Sequence, residues 1–210
     1  MVDLEKISQG VIKGQAEEVA KLVGEALNEK TDPQKILNDG LIAGMNFIGK
    51  RFKNNEVYVP EVLIAARAMH RGMDVLKPVL VESGVKPIAK IAVGTVKGDL
   101  HDIGKNLVIM MLQGAGFDTE DLGIDLPPEK FVDAAKRGAQ IIGLSALLTT
   151  TMPAMKQAID VLKDSGVREN IKIMIGGAPV TQEYADEIGA DGYAPDAASA
   201  VDKARELLSL

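Results

Sequence analysis

From Lys90 onward the sequence alternates short β-branched runs with helical stretches, five times in succession, and few folds accommodate that order. "KIAVGTV" predicts a strand, and 102–116 a helix closing on Gly116. "FDTEDLG" predicts a weaker strand, and "PPEKFVDAAKRG" a helix. "IIGLSAL" and "MPAMKQAIDVLKDSG" form the third pair, "IKIMIGG" and "TQEYADEIG" the fourth, and "ADGYA" and "DAASAVDKARELL" the fifth. Five consecutive βα units predict an α/β fold, with a flavodoxin-like (Rossmann-type), doubly wound, five-stranded parallel sheet.

The first part of the chain follows a different pattern. "QAEEVAKLVGEALNEK" repeats apolar residues at the helical period of three and four. "TDPQKILNDGLIAGMNFIGKRF" opens with an N-cap Thr or Asp and an early proline, and "VPEVLIAARAMHRGMDVLKPVL" opens with Pro60 and keeps the pattern to Leu80. No strand is expected there, and the layout suggests a four-helix bundle. The expected division is a helical domain over 1–87 and an α/β domain over 88–210, with "VESGVKP" (81–87) as a linker.

Composition removes several function classes. At 46% hydrophobic the chain can bury a core, and with four Phe, three Tyr and no Trp that core is aliphatic and methionine-rich. The net charge of −6 argues against a nucleic-acid partner, which needs a basic face. The absence of cysteine excludes disulfides, thiolate metal sites and cysteine nucleophiles. "MVDLEKISQG" has no signal-peptide apolar region and no 18-residue apolar stretch exists, so no membrane association and a cytoplasmic location are expected.

Doubly wound sheets bind ligands beyond the carboxyl ends of their strands, where the strand order reverses. In a 2-1-3-4-5 order that point lies between strands 1 and 3, and "KGDLHDIG" and "SALLTTTMP" follow those strands. "GGAP" and "GYAPD" end the next two. Topology therefore gathers His101, Ser145, Thr149, Gly176, Gly177 and Tyr193 on one rim. "GDLHDIGKN" is not a phosphate loop: five residues separate Gly98 from Gly104, and Asn106 stands where a P-loop has Ser or Thr. At its centre His101 lies between Asp99 and Asp102, and reads either as a surface or capping residue or as a metal ligand.

Asp99-x-His101-x-x-Gly104, then Ser145-x-Leu147 after 40 residues, then Gly176-Gly177 after another 28, resembles the cobalamin-binding signature of methionine synthase, corrinoid methyltransferase proteins and B12-dependent mutases. The stretch "GKRFKNNEVYVPEVLIAARAMHRGMDVLKP" is similar to the helical cap that precedes that domain in methionine synthase and in stand-alone corrinoid proteins, and that the mutases lack. The resemblance spans essentially the whole chain. With no methyl-donor barrel or reactivation domain in it, the expected layout is that of a small corrinoid carrier protein.

The resemblance implies a bound cobalamin or related cobamide, held base-off with His101 as the cobalt ligand. Asp99 would accept the second imidazole N–H, and Thr151, matching a serine six residues after the SxL serine, would complete the relay. Gly98, Leu100, Asp102, Ile103 and Gly104 would line the loop with Thr95, Gly104 admitting the nucleotide tail. Ser145 and Thr149 would hydrogen-bond the lower base and Leu147 pack on it, with Gly176, Gly177, Tyr193 and Ala194 around the tail. Asp102 also suits a helix N-cap. In the cap, Tyr58 would lie over the upper face. Val62 and Met69 read equally as bundle core, His70 reads as surface or packing, and Asn55 replaces the family's usual glycine before Glu56.

The implied function is a methyl shuttle, cycling between Co(I) and methyl-Co(III). A substrate-specific methyltransferase would deliver the methyl group, and a second would pass it to a tetrahydrofolate-type or thiol acceptor. A corrinoid reductive activator would restore the reduced metal. Two other readings stand beside it: an adenosylcobalamin-binding mutase subunit, which the cap argues against, and a B12-sensing regulator, which would need a DNA-binding segment. A flavodoxin-like domain with accidental motifs is the plain alternative.

Overall fold

A computed structural model describes residues 3–84 and 87–210. The chain forms two compact units. One comprises the described residues of 1–88 together with Gln113–Gly116, and the other Ala89–Leu112 with Phe117–Leu210.

The first unit is helical. It contains α1 (Leu4–Ile12), α2 (Ala16–Asn28), α3 (Pro33–Lys35), a π-helical segment (Ile36–Ile42), α4 (Ala43–Lys53) and α5 (Val59–Glu82). The segments from α3 through α4 join without leaving the helical backbone, so four helical rods result. Asp32 starts the third rod: its Oδ1 accepts from the Gln34 N–H at 2.9 Å, and Pro33 follows in the first turn. Missing side chains let the rods approach. A Cβ on Gly44 would meet the Ser8 carbonyl at 2.8 Å, and one on Gly72 would meet Leu41 at 2.7 Å. Val62 and Met69 are buried in this bundle, which settles them as core. His70 Nε2 donates to Gln113 Oε1 at 2.6 Å, a packing role at the unit's surface. Of the expected linker 81–87, α5 takes the residues through Glu82, because the helical pattern continues past Pro78; residues 85 and 86 lie outside the described residues.

The second unit is a five-stranded parallel sheet in the order β2-β1-β3-β4-β5. Its strands are β1 (Lys90–Val96), β2 (Asp118–Leu126), β3 (Ile141–Ser145), β4 (Lys172–Gly176) and β5 (Gly192–Tyr193). They alternate with α6 (Ile103–Gly114), α7 (Pro128–Lys136), α8 (Pro153–Asp164), α9 (Gln182–Ile188) and α10 (Ala197–Leu207). β1, β3 and β4 are almost wholly buried, as expected of parallel strands covered on both faces.

Side-chain alternation sorts the faces. Val96, Leu144 and Ile175 pack with Phe131 of α7 and Met155 and Ile159 of α8 in one aliphatic cluster. Their neighbours in sequence point to the other face. The register sets Thr95 beside Ser145 and Ser145 beside Gly176, so small or hydroxyl-bearing side chains form a row across three strand ends. β2 is an edge strand, longer than the sequence suggests, and it tolerates its acids by pairing them: Glu120 binds Lys90 at 2.9 Å and also Arg137. No helix among the described residues is long and apolar enough to cross a membrane.

Candidate functional site

β1 ends at Val96 and α6 begins at Ile103, and the turn between them carries His101 at the switch point. Asp99 is fully buried and organises this turn. Its Oδ1 accepts from the His101 backbone N–H and from His101 Nδ1, both at 3.0 Å. Its Oδ2 accepts from the Leu147 N–H and from the Thr151 hydroxyl, both at 2.7 Å. Thr95, buried at the end of β1, donates to the His101 carbonyl at 2.8 Å. The main chain of His101 is thus held at both its amide and its carbonyl.

Burial alone would raise the Asp99 pKa, and it is the largest single influence. The donors from Leu147, His101 and Thr151 outweigh it together and hold the carboxyl well below the usual carboxylate range. An ionised carboxylate only accepts, so the proton shared with His101 sits on Nδ1. A neutral imidazole then presents its lone pair at Nε2. That nitrogen has no partner among the described residues, and the His101 side chain is 53% exposed. The Thr151 hydroxyl also lies 2.9 Å from the Leu148 carbonyl, but it has one proton, and the buried anion is the stronger acceptor. The order is His101, Asp99, Thr151, with Thr151 touching the acid and not the imidazole.

Around the imidazole the surface is apolar. Leu100 is 68% and Ile103 78% exposed, and Leu147 and Leu148 are also open to solvent. Large aliphatic side chains left in water beside an unpartnered donor atom mark a ligand surface. Asp102 immediately precedes α6, its carbonyl accepting from the Asn106 N–H at 2.8 Å and its carboxylate from the Asn106 side chain. A Cβ on Gly104 would meet open space, so the protein's own packing does not demand glycine there.

Ser145 closes β3 half-buried, beside Gly176, and Thr149 is exposed in the following turn. Gly177 has φ +138°, and a Cβ there would fall 1.8 Å from the Ala146 carbonyl, so the two strand-end loops touch through backbone. Ala194 is buried with its carbonyl against Gly176, and Tyr193 packs half-buried on the sheet's core. Tyr58, in the first unit just before α5, is 66% exposed, and its N–H donates to Glu61.

Sequence reasoning missed three contributors. The Leu147 N–H, not only its side chain, holds Asp99. Lys105 is buried to 2% side-chain exposure, with Nζ 2.6 Å from Asp121 Oδ1 and 2.7 Å from Asn106 Oδ1. A lysine at the head of the apolar stretch "LVIMML" was the available signal. Asp125, at the end of β2, accepts from the Gly98 N–H at 2.8 Å and lies 3.1 Å from Lys97 Nζ.

No group of three His, Cys, Asp or Glu able to hold an ion occurs among the described residues. One directed imidazole nitrogen inside an apolar rim, with open space at Gly104, fits a cofactor that would bring its metal already ligated. A switch-point histidine locked by a buried acid is the arrangement that the sequence resemblance implies for a corrinoid-binding module. Two family models, each described as a B12 binding domain, match residues 3–77 and 89–202. The dimethylamine corrinoid protein 1 of Methanosarcina acetivorans is 47% identical over 208 residues, 98% of this chain and 97% of that protein. The crystal structure of a cobalamin-binding protein from Desulfitobacterium hafniense superposes with TM-score 0.81 at 32% identity, covering 99% of both chains. A chain of the methanol:cobalamin methyltransferase complex of Methanosarcina barkeri superposes with TM-score 0.86 at 29% identity, over 97% of this chain and 78% of that one.

The chain belongs to the B12-binding family and is a methyl-carrying corrinoid protein of the kind that works with methyltransferases, with cobalamin or a related corrinoid as its cofactor.

Proposed function

We propose that the protein holds its corrinoid base-off with His101 Nε2 as the lower axial ligand, and carries methyl groups from a methylated amine to an acceptor methyltransferase. The observation that carries the ligand assignment is the fixed tautomer: Asp99 accepts the hydrogen bond from Nδ1–H and leaves Nε2 unpaired on a half-exposed side chain. A bound corrinoid would supply the methyl-transfer chemistry, and His101, Asp99 and the surrounding loop would supply ligation and orientation. Thr151 stabilises the Asp99 anion, and Leu100, Ile103 and Leu147 exclude water from the macrocycle's lower face. Ser145, Thr149, Gly176 and Gly177 border the path of the nucleotide tail.

The relatives named for dimethylamine, 43–49% identical to this chain, favour that amine as the source of the methyl group, delivered by a separate methyltransferase. A second methyltransferase and a reductive activator complete the cycle. The ligand assignment is tested by loading apo-protein with hydroxocobalamin, desalting, and recording the absorption spectrum of wild type and His101→Ala. A corrinoid band that moves in the variant supports it; an unchanged band removes His101 from the metal. The donor is tested by methylation of the reduced holoprotein with the cognate methyltransferase and dimethylamine, monomethylamine or methanol. Turnover with methanol alone would overturn the amine assignment.

A further inference from the structure

β1 is flanked by β2 on one side and β3 on the other, so the loop that follows it has a strand end on each side. From the β3 side, the Leu147 N–H and the Thr151 hydroxyl grip the Asp99 carboxylate. From the β2 side, Asp125 grips the main chain. Its Oδ1 accepts from the Gly98 N–H at 2.8 Å, and its own N–H donates to the Asp99 carbonyl at 3.0 Å. We propose that Asp125 is a second positioning carboxylate for His101, fixing the loop backbone while Asp99 fixes the imidazole. The inference rests on His101 being the axial ligand.

A loop held only through the Asp99 side chain and the Thr95 hydroxyl has both anchors on the β1 and β3 side, and the direction of Nε2 could swing about them. Two hydrogen bonds to consecutive residues on the opposite side remove this rotation. The backbone at this corner is unusual on both partners. Gly98 has φ +82° and Asp125 φ +52°, a left-handed conformation that disfavours most L residues and that Asp or Asn tolerates best. Strain of this kind persists where surrounding contacts over-determine it, commonly at functional sites. Lys97 Nζ, 3.1 Å from the same Oδ1, pins the carboxylate from outside. Preorganising the donor atom means that binding need not order the loop, so the expected effect falls on how long the corrinoid stays ligated.

The test compares wild type, Asp125→Gly, Asp125→Ala, Asp125→Asn and His101→Ala, each loaded with hydroxocobalamin. Glycine accepts a positive φ without strain, so Asp125→Gly removes the carboxylate and spares the backbone. Asparagine keeps both the acceptor for Gly98 and the tolerance for φ +52°. The readouts are the absorption band of the bound corrinoid, its dissociation rate, and the melting temperature of the apo-protein. Asp125→Gly is expected to shift the band toward that of His101→Ala and to release the corrinoid about tenfold faster, the loss of roughly one charged hydrogen bond. Asp125→Asn is expected to restore the wild-type band.

A band and dissociation rate equal to wild type in Asp125→Gly, with or without a lowered melting temperature, would make Asp125 merely structural and overturn the proposal. Failure of both Asp125→Gly and Asp125→Ala to fold would overturn it as well. If His101→Ala itself has the wild-type band, the ligand assignment falls first, a result distinct from normal behaviour of the Asp125 variants alone.

Discussion

The Thr151 hydroxyl donates a hydrogen bond to Asp99 Oδ2, the carboxylate oxygen that His101 leaves free. The threonine therefore acts on the imidazole only through the acid. Thr151→Val keeps the shape of the side chain and removes the donor. It is expected to destabilise the apo-protein by about 1–3 kcal/mol, because a buried anion loses a partner. Thr151→Ser is expected to stay near wild type. Urea unfolding of the three proteins measures the difference, and equal midpoints for valine and wild type would show that the Thr151 hydroxyl does not stabilise the Asp99 anion.

Two glycines of the signature should respond oppositely. Gly177→Ala sets a Cβ 1.8 Å from the Ala146 carbonyl at a left-handed φ, and should cost at least about 2 kcal/mol of apo stability. Gly104→Ala meets open space in the first turn of α6, so apo stability should hold or rise slightly while corrinoid retention falls. Melting curves and retention after desalting separate the two. Full corrinoid retention by Gly104→Ala would mean that the nucleotide tail does not pass this residue.

The exposed rim supplies a third test. Leu100→Asp and Ile103→Asp change side chains that already face water, so apo melting temperatures should move by no more than about 0.5 kcal/mol equivalent. Corrinoid affinity should fall, because a charge would be desolvated beneath the macrocycle. Titration with hydroxocobalamin measures it, and unaltered affinity in both variants would place the macrocycle elsewhere.

Glu120 offers a pH signature. Its partial burial would raise its pKa, but the bonds from Lys90 and Arg137 outweigh this and hold it below the usual value. The folded-state pKa is thus depressed relative to the unfolded chain. The stability contributed is present above the unfolded pKa of about 4.3, and is lost as pH falls through the lower folded value. Wild type should therefore exceed Glu120→Gln in stability at pH 7, with the gap closing below about pH 4. Urea midpoints at pH 7, 4 and 3 check this; a gap that persists unchanged at pH 3 would contradict the assignment.

Strand order and the switch-point loop were legible because they depend on features that sequence carries directly. Val- and Ile-rich runs at regular spacing set the sheet, and the sheet sets the rim. Thr151 was reachable only by resemblance, as a hydroxyl six residues beyond Ser145. Asp125 was not legible, since its role comes from a left-handed backbone and from β1–β2 register shifts around Gly94, neither of which has a sequence period. The Leu147 contribution was hidden for a simpler reason: every residue except proline has an N–H. Lys105 carried no expectation from the sequence, yet its buried ammonium pairs with the half-exposed Asp121 and ties the start of α6 to β2. Val62 and Met69 could not be divided between core and ligand surface by helical spacing alone, because both roles use the same side chains at the same period.

His101 Nε2 is the imidazole nitrogen that Asp99 leaves free, and no group of three His, Cys, Asp or Glu able to hold an ion occurs among the described residues. A hydrated zinc, nickel or copper ion would have to trade its water shell for one imidazole, a poor exchange even where the Irving–Williams series favours the intruder. A cobalt already enclosed by a corrin needs only that one donor. With His101 as the proposed ligand, a single nitrogen would leave the choice of element to the macrocycle that delivers it.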